Sequence, residues 1–340
     1  MTQATDRSKA PVFVLGCHRS GTNLLYDMLM SAGGFAKYSD ALGVHPTLIP
    51  RFGDLSSLSH RRKLMEVWLR SKAFQRSGLE AEQIRSQILE RCNSGGEFYR
   101  IVMGEIARRQ GVERWAAYDP DNAFHIPSIH EEIPEALFVH IVRDGRDVAF
   151  GLSKKNWIPY LPWDSGRRIL IMGAFWQWMV TKGRVNGQRA AANYMEVRFE
   201  DLVVHPHETL AQLGSFLEQD LNYERILQSP VGVVARPNSS HPLDSAAGGF
   251  GPAQRWKQQL SPEDVASFEA LYGRLLKDLG YETASNGDGS AAPIFDRLVN
   301  VLYPLYFETK LQLKSRTPLG RFASLVHLEI QGTQSGQRVA

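Results

Sequence analysis

The stretch that decides the fold is PVFVLGCHRSGTNLLYDML, which runs from Pro11 to Leu29. Its first part is a short run of β-branched and aromatic residues that ends in glycine, as is typical of a buried strand. Leucine and methionine side chains then recur at helical spacing from Leu24 onward. The order predicts a strand, a glycine-bounded loop and a helix.

The loop from Gly16 to Thr22 has the glycine spacing of a phosphate-binding loop but a different arrangement of cations. In nucleoside-triphosphate sites the second glycine is followed by lysine and then by a hydroxyl residue that binds magnesium. Here Thr22 and Asn23 occupy those positions, and the cation, Arg19, lies inside the loop. Backbone N–H groups at a helix N-terminus bind anions, and arginine offers phosphate oxygens a planar fork of donors. The loop therefore favours a nucleotide phosphate held without magnesium.

Strand-like and helix-like segments alternate along the rest of the chain. Trp115–Tyr118, Ala136–Arg143 and Met195–Leu202 are predicted strands, and the second is apolar enough to be buried on both faces. We predict an α/β fold with three layers, α/β/α, around a central parallel sheet. Residues 35–114 are predicted to be a mostly helical cap inserted over the sheet edge.

Length and charge limit the class of protein. The chain has 340 residues, of which 43% are hydrophobic, and its net charge of +3 gives no global field that favours nucleic acid. We predict four regions, namely a disordered N-terminus at 1–10, the α/β domain at 11–282, a linker at 283–293, and a helical extension with a tail at 294–340.

The cysteine content and the apolar segments bear on location and partners. Cys17 and Cys92 are too few for a disulfide framework, and the polar N-terminus lacks a secretory apolar stretch, so we expect a cytoplasmic protein. Residues 294–330 contain an amphipathic stretch with the aromatic run LYPLYF. This stretch could dock on the domain, on a second subunit as in a homodimer, or on a membrane surface.

A second arginine-bearing turn follows the predicted central strand. Arg143 ends this strand, and Arg146, Lys154 and Lys155 follow it. Parallel sheets bind ligands outside the carboxyl ends of their strands, where both arginine turns are expected. Two separated phosphate sites indicate an adenosine that carries groups at its 5′ and 3′ positions. The alternative is an ion pair of Arg143 with Asp144 that only orders the turn.

Four segments, taken in order, resemble the sulfotransferases that use 3′-phosphoadenosine 5′-phosphosulfate (PAPS), in particular the bacterial and tyrosylprotein-type members. They are CHRSGTNL from Cys17, VRDGRDV from Val142, VRFEDL from Val197 and QRWK from Gln254. The resemblance covers roughly residues 10–282 and implies a fold like that of P-loop NTPases. It implies sulfuryl transfer from PAPS, with no metal required, to a hydroxyl or amine of a small-molecule, carbohydrate or peptide acceptor.

The resemblance also implies which residues bind the donor. These are Gly16, Cys17, His18, Arg19, Ser20, Gly21, Thr22 and Asn23 at the 5′-phosphosulfate, Arg143, Gly151, Ser153 and Lys155 at the 3′-phosphate, and Trp256 and Lys257 in a segment that closes over the nucleotide. Gly151 stands where such enzymes have a serine, and Ser153 is the nearest hydroxyl. Arg19 is expected to be catalytic, because a guanidinium can stabilise the charge that develops on the leaving oxygen.

The catalytic base and the acceptor are less closely defined. Tyrosylprotein-type relatives carry a glutamate base after the first helix, and here Asp40 is the first candidate and His45 the second. Trp157, Tyr160 and Trp163 could stack against an acceptor, and the cluster Arg61–Lys63 could attract an anionic one. Two other functions stay open at this point, a P-loop kinase or nucleotide hydrolase and a non-catalytic nucleotide-binding relative.

Overall fold

The structure is a computed structural model that describes residues 6–155, 157–237, 243–244, 249–250, 253–284, 292–325 and 328–330. Most of the predicted linker and the end of the predicted tail lie outside the described residues. The side chain of Trp163, one of the rings expected to stack against an acceptor, also lies outside them.

Five parallel strands form the central sheet. They are β1 (Val12–Gly16), β2 (Phe35–Ala36), β3 (Arg114–Tyr118), β4 (Leu137–Val142) and β5 (Tyr194–Arg198). Their spatial order is β2-β3-β1-β4-β5, so β1 lies at the centre and pairs with both β3 and β4. Two short strands, β6 (Leu243–Asp244) and β7 (Gly249–Phe250), form a separate antiparallel pair. The predicted parallel sheet is confirmed.

Helices cover both faces of this sheet. They are α1 (Thr22–Ala32), α2 (Ile49–Phe52), α3 (Leu58–Trp68), α4 (Lys72–Ser77), α5 (Ala81–Arg91), α6 (Gly95–Arg109), α7 (Ile126–Glu132), α8 (Gly145–Ser153), α9 (Arg168–Gly187), α10 (Phe199–Val204), α11 (Pro206–Leu217), α12 (Tyr223–Gln228), α13 (Gly232–Ala235), α14 (Trp256–Gln259), α15 (Pro262–Asp278) and α16 (Ile294–Arg316). Helices α2 to α6 follow β2 and precede β3 along the chain. They make up most of the segment predicted to be a helical cap, and we refer to them as the cap. That segment also contains β2, a strand that was not predicted.

The prediction of a strand over Met195–Leu202 is wrong in its second half. The strand ends at Arg198, and α10 begins at Phe199. Glu200 and Asp201 lie in the first turn of α10, where acidic side chains are favoured by the helix dipole. The Phe199 ring is buried and lies against Gly21, in the loop between β1 and α1.

Alternate residues of β1 face two different cores. Phe13 and Leu15 pack with the cap, whereas Val12 and Val14 pack with α1 and with α10 to α13. A third core lies around α8, α9, α15 and α16. Because β1 is buried on both faces, the loop that follows it starts from a fixed position at the centre of the molecule.

The N-terminal segment differs from the expectation of disorder where the structure describes it. The Arg7 guanidinium lies 5.1 Å from the ring centroid of Phe216, and Ala10 is buried. These contacts hold residues 6–10 against the domain.

Helix α16 packs on α9. The Phe307 ring lies 5.2 Å from that of Phe175, and Trp178 Nε1 donates to Glu308 Oε2 at 3.1 Å. Large apolar side chains on other positions of α16, such as Phe295 and Val301, remain exposed. Within the described ranges, no helix has the length and apolarity to cross a membrane.

Candidate active site

The first loop, which connects β1 to α1, requires its two glycines. A Cβ atom at Gly16 would lie 2.4 Å from the carbonyl oxygen of Ile141 in β4. Gly21 has a φ of 104°, and a Cβ atom there would lie 2.5 Å from the Phe199 ring. A side chain at either position would push the loop away from the sheet. Glycine therefore allows the loop to lie close to the ends of β1 and β4.

Arg19 lies at the centre of this loop in a left-handed conformation, with a φ of 73°. Its side chain packs against α8, where a Cβ atom at Gly151 would be 3.4 Å from Arg19 Nε. Burial, together with the positive charges of Arg143 and Arg255, lowers the pKa of Arg19. Positive charge is therefore concentrated beside the loop, and an anion bound there would relieve the repulsion.

Among the other loop residues Asn23 is exposed, whereas Cys17, Ser20 and Thr22 are buried. The Ser20 hydroxyl is fully buried and has no hydrogen-bond partner among the described residues. Thr22 is buried and its hydroxyl donates to Asn23 Oδ1 at 3.4 Å. Cys17 is buried, and burial raises the pKa of its thiol well above the ordinary value. The thiol is therefore not activated as a nucleophile.

The second turn, which connects β4 to α8, meets the first. Arg143 Nη1 donates to the backbone oxygen of Arg19 at 3.4 Å, and Nη2 donates to Asp147 Oδ2 at 3.0 Å. Its guanidinium lies 4.0 Å from the ring centroid of Phe199. The partner of Arg143 is thus Asp147 rather than Asp144, and the predicted neighbourhood of the two arginine turns is present.

Arg146, which follows Arg143 in the second arginine turn and was a possible further phosphate ligand, is buried and paired with carboxylates. Its guanidinium donates to Asp144 Oδ2 at 2.7 Å and to Glu269 Oε1 at 2.6 Å. It also lies 3.7 Å from the ring centroid of Trp256. Because its side chain is only 3% exposed, Arg146 anchors this region instead of meeting a ligand.

The segment with Trp256 and Lys257 is tied to the second turn. Asp147 accepts hydrogen bonds from the backbone N–H groups of Gln254, at 3.1 Å, and of Trp256, at 2.7 Å. Lys257 is exposed, and its Nζ lies 5.7 Å from the Trp256 ring centroid. Arg255, whose positive charge also acts on Arg19, was not predicted as a site residue, although it lies in the same QRWK segment.

The predicted 3′-phosphate residues of α8 lie on one side of this region. Gly151 faces Arg19, as described, whereas the Ser153 hydroxyl donates to the backbone oxygen of Phe150 at 2.8 Å. Lys155 is exposed, with its Nζ 5.9 Å from the ring centroid of Trp157. Ser153 and Lys155 therefore stay predictions as donor ligands.

The two predicted bases pair with different elements, Asp40 with α4 of the cap and His45 with the end of α7. Asp40 Oδ1 accepts from Arg76 Nη1 at 2.8 Å, and His45 Nε2 lies 3.1 Å from Glu132 Oε2. The His45 side chain is 3% exposed and its ring lies 6.0 Å from that of Tyr99. The hydrogen-bond partners given above for Asp40 and His45 do not belong to the arginine turns. The catalytic role of both residues stays a prediction.

The cluster Arg61–Lys63 is only partly a surface patch. Arg61 is buried, and its guanidinium donates to the backbone oxygens of Leu55 and Leu89, at 2.8 and 2.9 Å. Arg61 therefore holds the cap together and is not available to an anionic acceptor. Arg62 and Lys63 are exposed.

A polar group at the end of β3 was not predicted from the sequence. His18 Nε2 lies 3.1 Å from Asp121 Oδ1, and the backbone N–H of Asp121 donates to Asp119 Oδ1 at 3.0 Å. Burial and the negative charge of Asp121 raise the pKa of Asp119 to about 7. The position of Asp119 and Asp121 just after a strand could have indicated that they belong to the site. However, the same residues are also typical of a turn and a helix cap.

No group of three or more His, Cys, Asp or Glu side chains in the described part of the chain is arranged to hold a metal ion.

Comparisons with known proteins agree with this geometry. The chain matches the Sulfotransferase family over residues 11–236. It is 24% identical over 301 residues to protein-tyrosine sulfotransferase A of Caenorhabditis elegans, covering 86% of this chain and 72% of that protein. It is 26% identical over 291 residues to the protein-tyrosine sulfotransferase of Drosophila melanogaster, covering 83% of this chain. The chain spans 53% of the Drosophila protein's length, or about half.

Among solved structures, the sulfotransferase domain of the Synechococcus PCC 7002 olefin synthase has a similar fold. Its TM-score is 0.50 at 18% identity, with 80% of this chain and 95% of that domain covered. The family match spans both arginine turns and more than half of the residues. The chain therefore belongs to the sulfotransferase family and is an enzyme that transfers sulfuryl groups.

Proposed function

We propose that the sulfuryl donor is PAPS, held between the two arginine turns. The observation that carries this proposal is the hydrogen bond from Arg143 to the backbone of Arg19, because it joins the loops after β1 and β4 in one site. The first loop would hold the 5′-phosphosulfate with its backbone N–H groups and Ser20. Arg143 would hold the 3′-phosphate with its guanidinium fork.

The residues present fit such a donor. The buried Ser20 hydroxyl and the buried Arg143 Nε have no hydrogen-bond partner among the described residues, so each has a donor to offer to an anion. The like charges of Arg19, Arg143 and Arg255 favour a ligand with several negative charges. A doubly phosphorylated adenosine meets both conditions.

In this proposal Arg19 stabilises the reaction electrostatically. Negative charge develops on the bridging oxygen as the sulfuryl group leaves the nucleotide phosphate, and a fixed guanidinium beside that oxygen lowers the barrier. The loop amides act in the same way, because their direction is set before the substrate arrives. No residue of the loop needs to form a covalent bond.

For the acceptor we propose a hydroxyl or an amine, with a phenolic hydroxyl tested first. The relatives named above are protein-tyrosine sulfotransferases, and the Trp157 side chain, 56% exposed, offers a flat surface beside the first loop. Its ring centroid lies 6.4 Å from that of His18. An aromatic acceptor could stack there.

We further propose that the protein works in a reducing compartment such as the cytoplasm. Cys17 and Cys92 are both buried free thiols. Proteins from oxidising compartments commonly use disulfides for stability.

Thermal unfolding with added nucleotides tests the donor. Adenosine 3′,5′-bisphosphate without magnesium should raise the unfolding temperature, and ATP with magnesium should raise it less. Transfer of ³⁵S from labelled PAPS to a tyrosine peptide, an alcohol and an amine then tests turnover. Stabilisation by ATP with magnesium alone would contradict the proposal.

A further inference from the structure

We propose that His18 is the general base that takes the acceptor's proton, and that Asp121 is the positioning residue that holds its ring. This inference rests on the sulfuryl transfer proposed above and assigns a role in it to a pair of side chains outside the arginine turns. A general base must lie within hydrogen-bond reach of the proton that it removes. His18 precedes Arg19 in the first loop and is therefore the neighbour of the residue proposed to act on the leaving oxygen.

The His18 ring is held by its surroundings. It stacks on Phe175, with ring centroids 6.2 Å apart and an interplanar angle of 26°, and Trp157 lies at its edge. The His18 side chain is nevertheless 32% exposed. A ring that is fixed in orientation but open to solvent suits a group that must meet an incoming acceptor.

The contact with Asp121 selects the reactive nitrogen. Nε2 lies 3.1 Å from the Asp121 carboxylate, so this nitrogen carries the proton and donates it as a hydrogen bond. The other nitrogen, Nδ1, then keeps a free electron pair, and the described residues form no hydrogen bond with it. A histidine oriented by a carboxylate is the arrangement by which many enzymes activate a hydroxyl.

The position of Asp121 is itself fixed. It follows β3, the strand next to β1, and its backbone N–H donates a hydrogen bond to Asp119 Oδ1 at 3.0 Å. Helix α16 brings Lys314 to the same group, where its positive charge acts on both carboxylates. The charges that act on His18 are those of Asp121 and Asp119, and His125 and Lys314 act in turn on Asp121. On the other side of the ring, Lys155 lies against Trp157, with its Nζ 5.9 Å from the ring centroid.

These charges set the pH range in which His18 could act. Burial lowers the pKa of His18, but the hydrogen bond and charge of Asp121 outweigh burial and raise it overall. In the reverse direction, His18 holds the pKa of Asp121 below its ordinary value against the effect of burial. His125 stays neutral, because burial lowers its pKa to about 3.

The step balances without a further reactant. The acceptor oxygen forms a bond to sulfur while the bond from sulfur to the bridging oxygen breaks, and that electron pair stays on the bridging oxygen of adenosine 3′,5′-bisphosphate. The acceptor's proton moves to Nδ1 of His18 and is later released to water. The products are the sulfated acceptor, the bisphosphate and one proton.

Kinetics of His18→Ala and Asp121→Asn test the proposal. With the acceptor that the wild type sulfates fastest in the panel above, His18→Ala should lower kcat about 10²- to 10⁴-fold, and added imidazole should restore part of the rate. Its affinity for adenosine 3′,5′-bisphosphate should change less than about 3-fold, which shows that the loop is intact. His207→Ala, at an exposed site, is the matched control.

The pH dependence separates a base from a packing residue. The wild-type rate should fall at acidic pH as His18 is protonated. Asp121→Asn should move this fall to lower pH, because the group that raises the pKa is gone. NMR titration of the His18 ring in the free protein should show the same shift without any substrate.

Unchanged kcat in His18→Ala, or a His18 titration that Asp121→Asn leaves unchanged, would overturn the proposal. If the wild type neither binds the bisphosphate nor transfers ³⁵S, the proposed function itself fails and this inference falls with it. A full donor response with an unaffected His18 variant would reject the base alone.

Discussion

Nη1 of Arg143 donates a hydrogen bond to the backbone oxygen of Arg19, 3.4 Å away, although the two residues are 124 positions apart in the chain. The contact exists because β1 and β4 are adjacent parallel strands that end at the same edge of the sheet. The side chain of one turn thus supports the backbone of the other. The effect of a substitution at either arginine should therefore be measured both on nucleotide affinity and on turnover.

Replacing Arg143 by lysine should mainly weaken nucleotide binding. Lysine keeps a positive charge near Asp147 but loses the fork that can hold two phosphate oxygens. We expect the Kd for adenosine 3′,5′-bisphosphate to rise about 10- to 100-fold by calorimetry. Arg225→Lys, which changes an exposed arginine paired with Asp220, should leave the Kd unchanged. Equal Kd values for both variants would refute the assignment.

Replacing Arg19 by alanine should mainly lower turnover. The guanidinium is expected to act on charge that forms in the transition state, so kcat should fall about 10²- to 10³-fold while bisphosphate affinity changes less. Single-turnover transfer of ³⁵S from PAPS measures the effect. Arg19→Lys controls for charge without the planar fork. Wild-type turnover in Arg19→Ala would show that the guanidinium does not act on the leaving oxygen.

Gly151→Ser should strengthen nucleotide binding. A Cβ atom at this position makes ordinary contacts with the Arg19 side chain, at 3.4 to 3.6 Å, so the site has room for one. The added hydroxyl can donate to a phosphate, for which we expect a Kd about 3- to 10-fold lower. Gly151→Ala adds the Cβ atom without the hydroxyl and is the matched control. If the alanine variant binds as well as the serine variant, the hydroxyl contributes nothing.

Gly21→Ala should destabilise the fold. Its φ of 104° is unfavourable for alanine, and the new Cβ atom would lie 2.5 Å from the Phe199 ring. We expect the free energy of unfolding in urea to fall by about 3 kcal/mol. Gly104→Ala, in the middle of α6 with no atom within 4 Å of its Cβ position, should be neutral or stabilising. A Gly21 variant as stable as the wild type would mean that the loop can move away from Phe199.

The stability of the fold should depend on His140 at acidic pH. Burial lowers the pKa of His140 to about 4, below the ordinary 6.5, so the folded state keeps this ring neutral. Its contribution is complete above pH 6.5 and is lost as the pH falls toward 4, by about 3 kcal/mol. Urea unfolding from pH 7 to pH 4 measures this. His140→Gln should flatten the slope, and exposed His207→Gln should keep it.

The sequence predicted four of the five strands of the central sheet, all but β2, and both arginine turns, because these features are local. Apolar runs that end in glycine or arginine mark buried parallel strands and their carboxyl ends, whatever lies elsewhere in the chain. The partners of individual side chains depended on distant segments and could not be predicted. Arg146 resembles a phosphate ligand until Glu269, 123 residues later, is placed against it.

The polar group at the end of β3 was missed for a related reason. Asp119 and Asp121 have a complete local explanation as turn residues, so nothing in their own segment calls for a second one. Their contacts with His18 and Lys314 come from β1's loop and from α16, which are remote in sequence. His18 lies inside the first loop, where the glycine spacing and Arg19 already explained the sequence as a phosphate-binding loop. Nothing in that segment therefore indicated a separate role for His18.

Asp147 binds the Arg143 guanidinium and the backbone N–H groups of Gln254 and Trp256 with one carboxylate. An anion that binds Arg143 competes with this carboxylate for the guanidinium N–H groups of Arg143. Nucleotide occupancy and the docking of the 254–256 segment are therefore thermodynamically linked, and linkage is reciprocal. The factor by which nucleotide binding changes the docking equilibrium of that segment equals the factor by which docking changes nucleotide affinity. A mutation that changes the docking of the 254–256 segment can therefore change how long the product nucleotide stays bound.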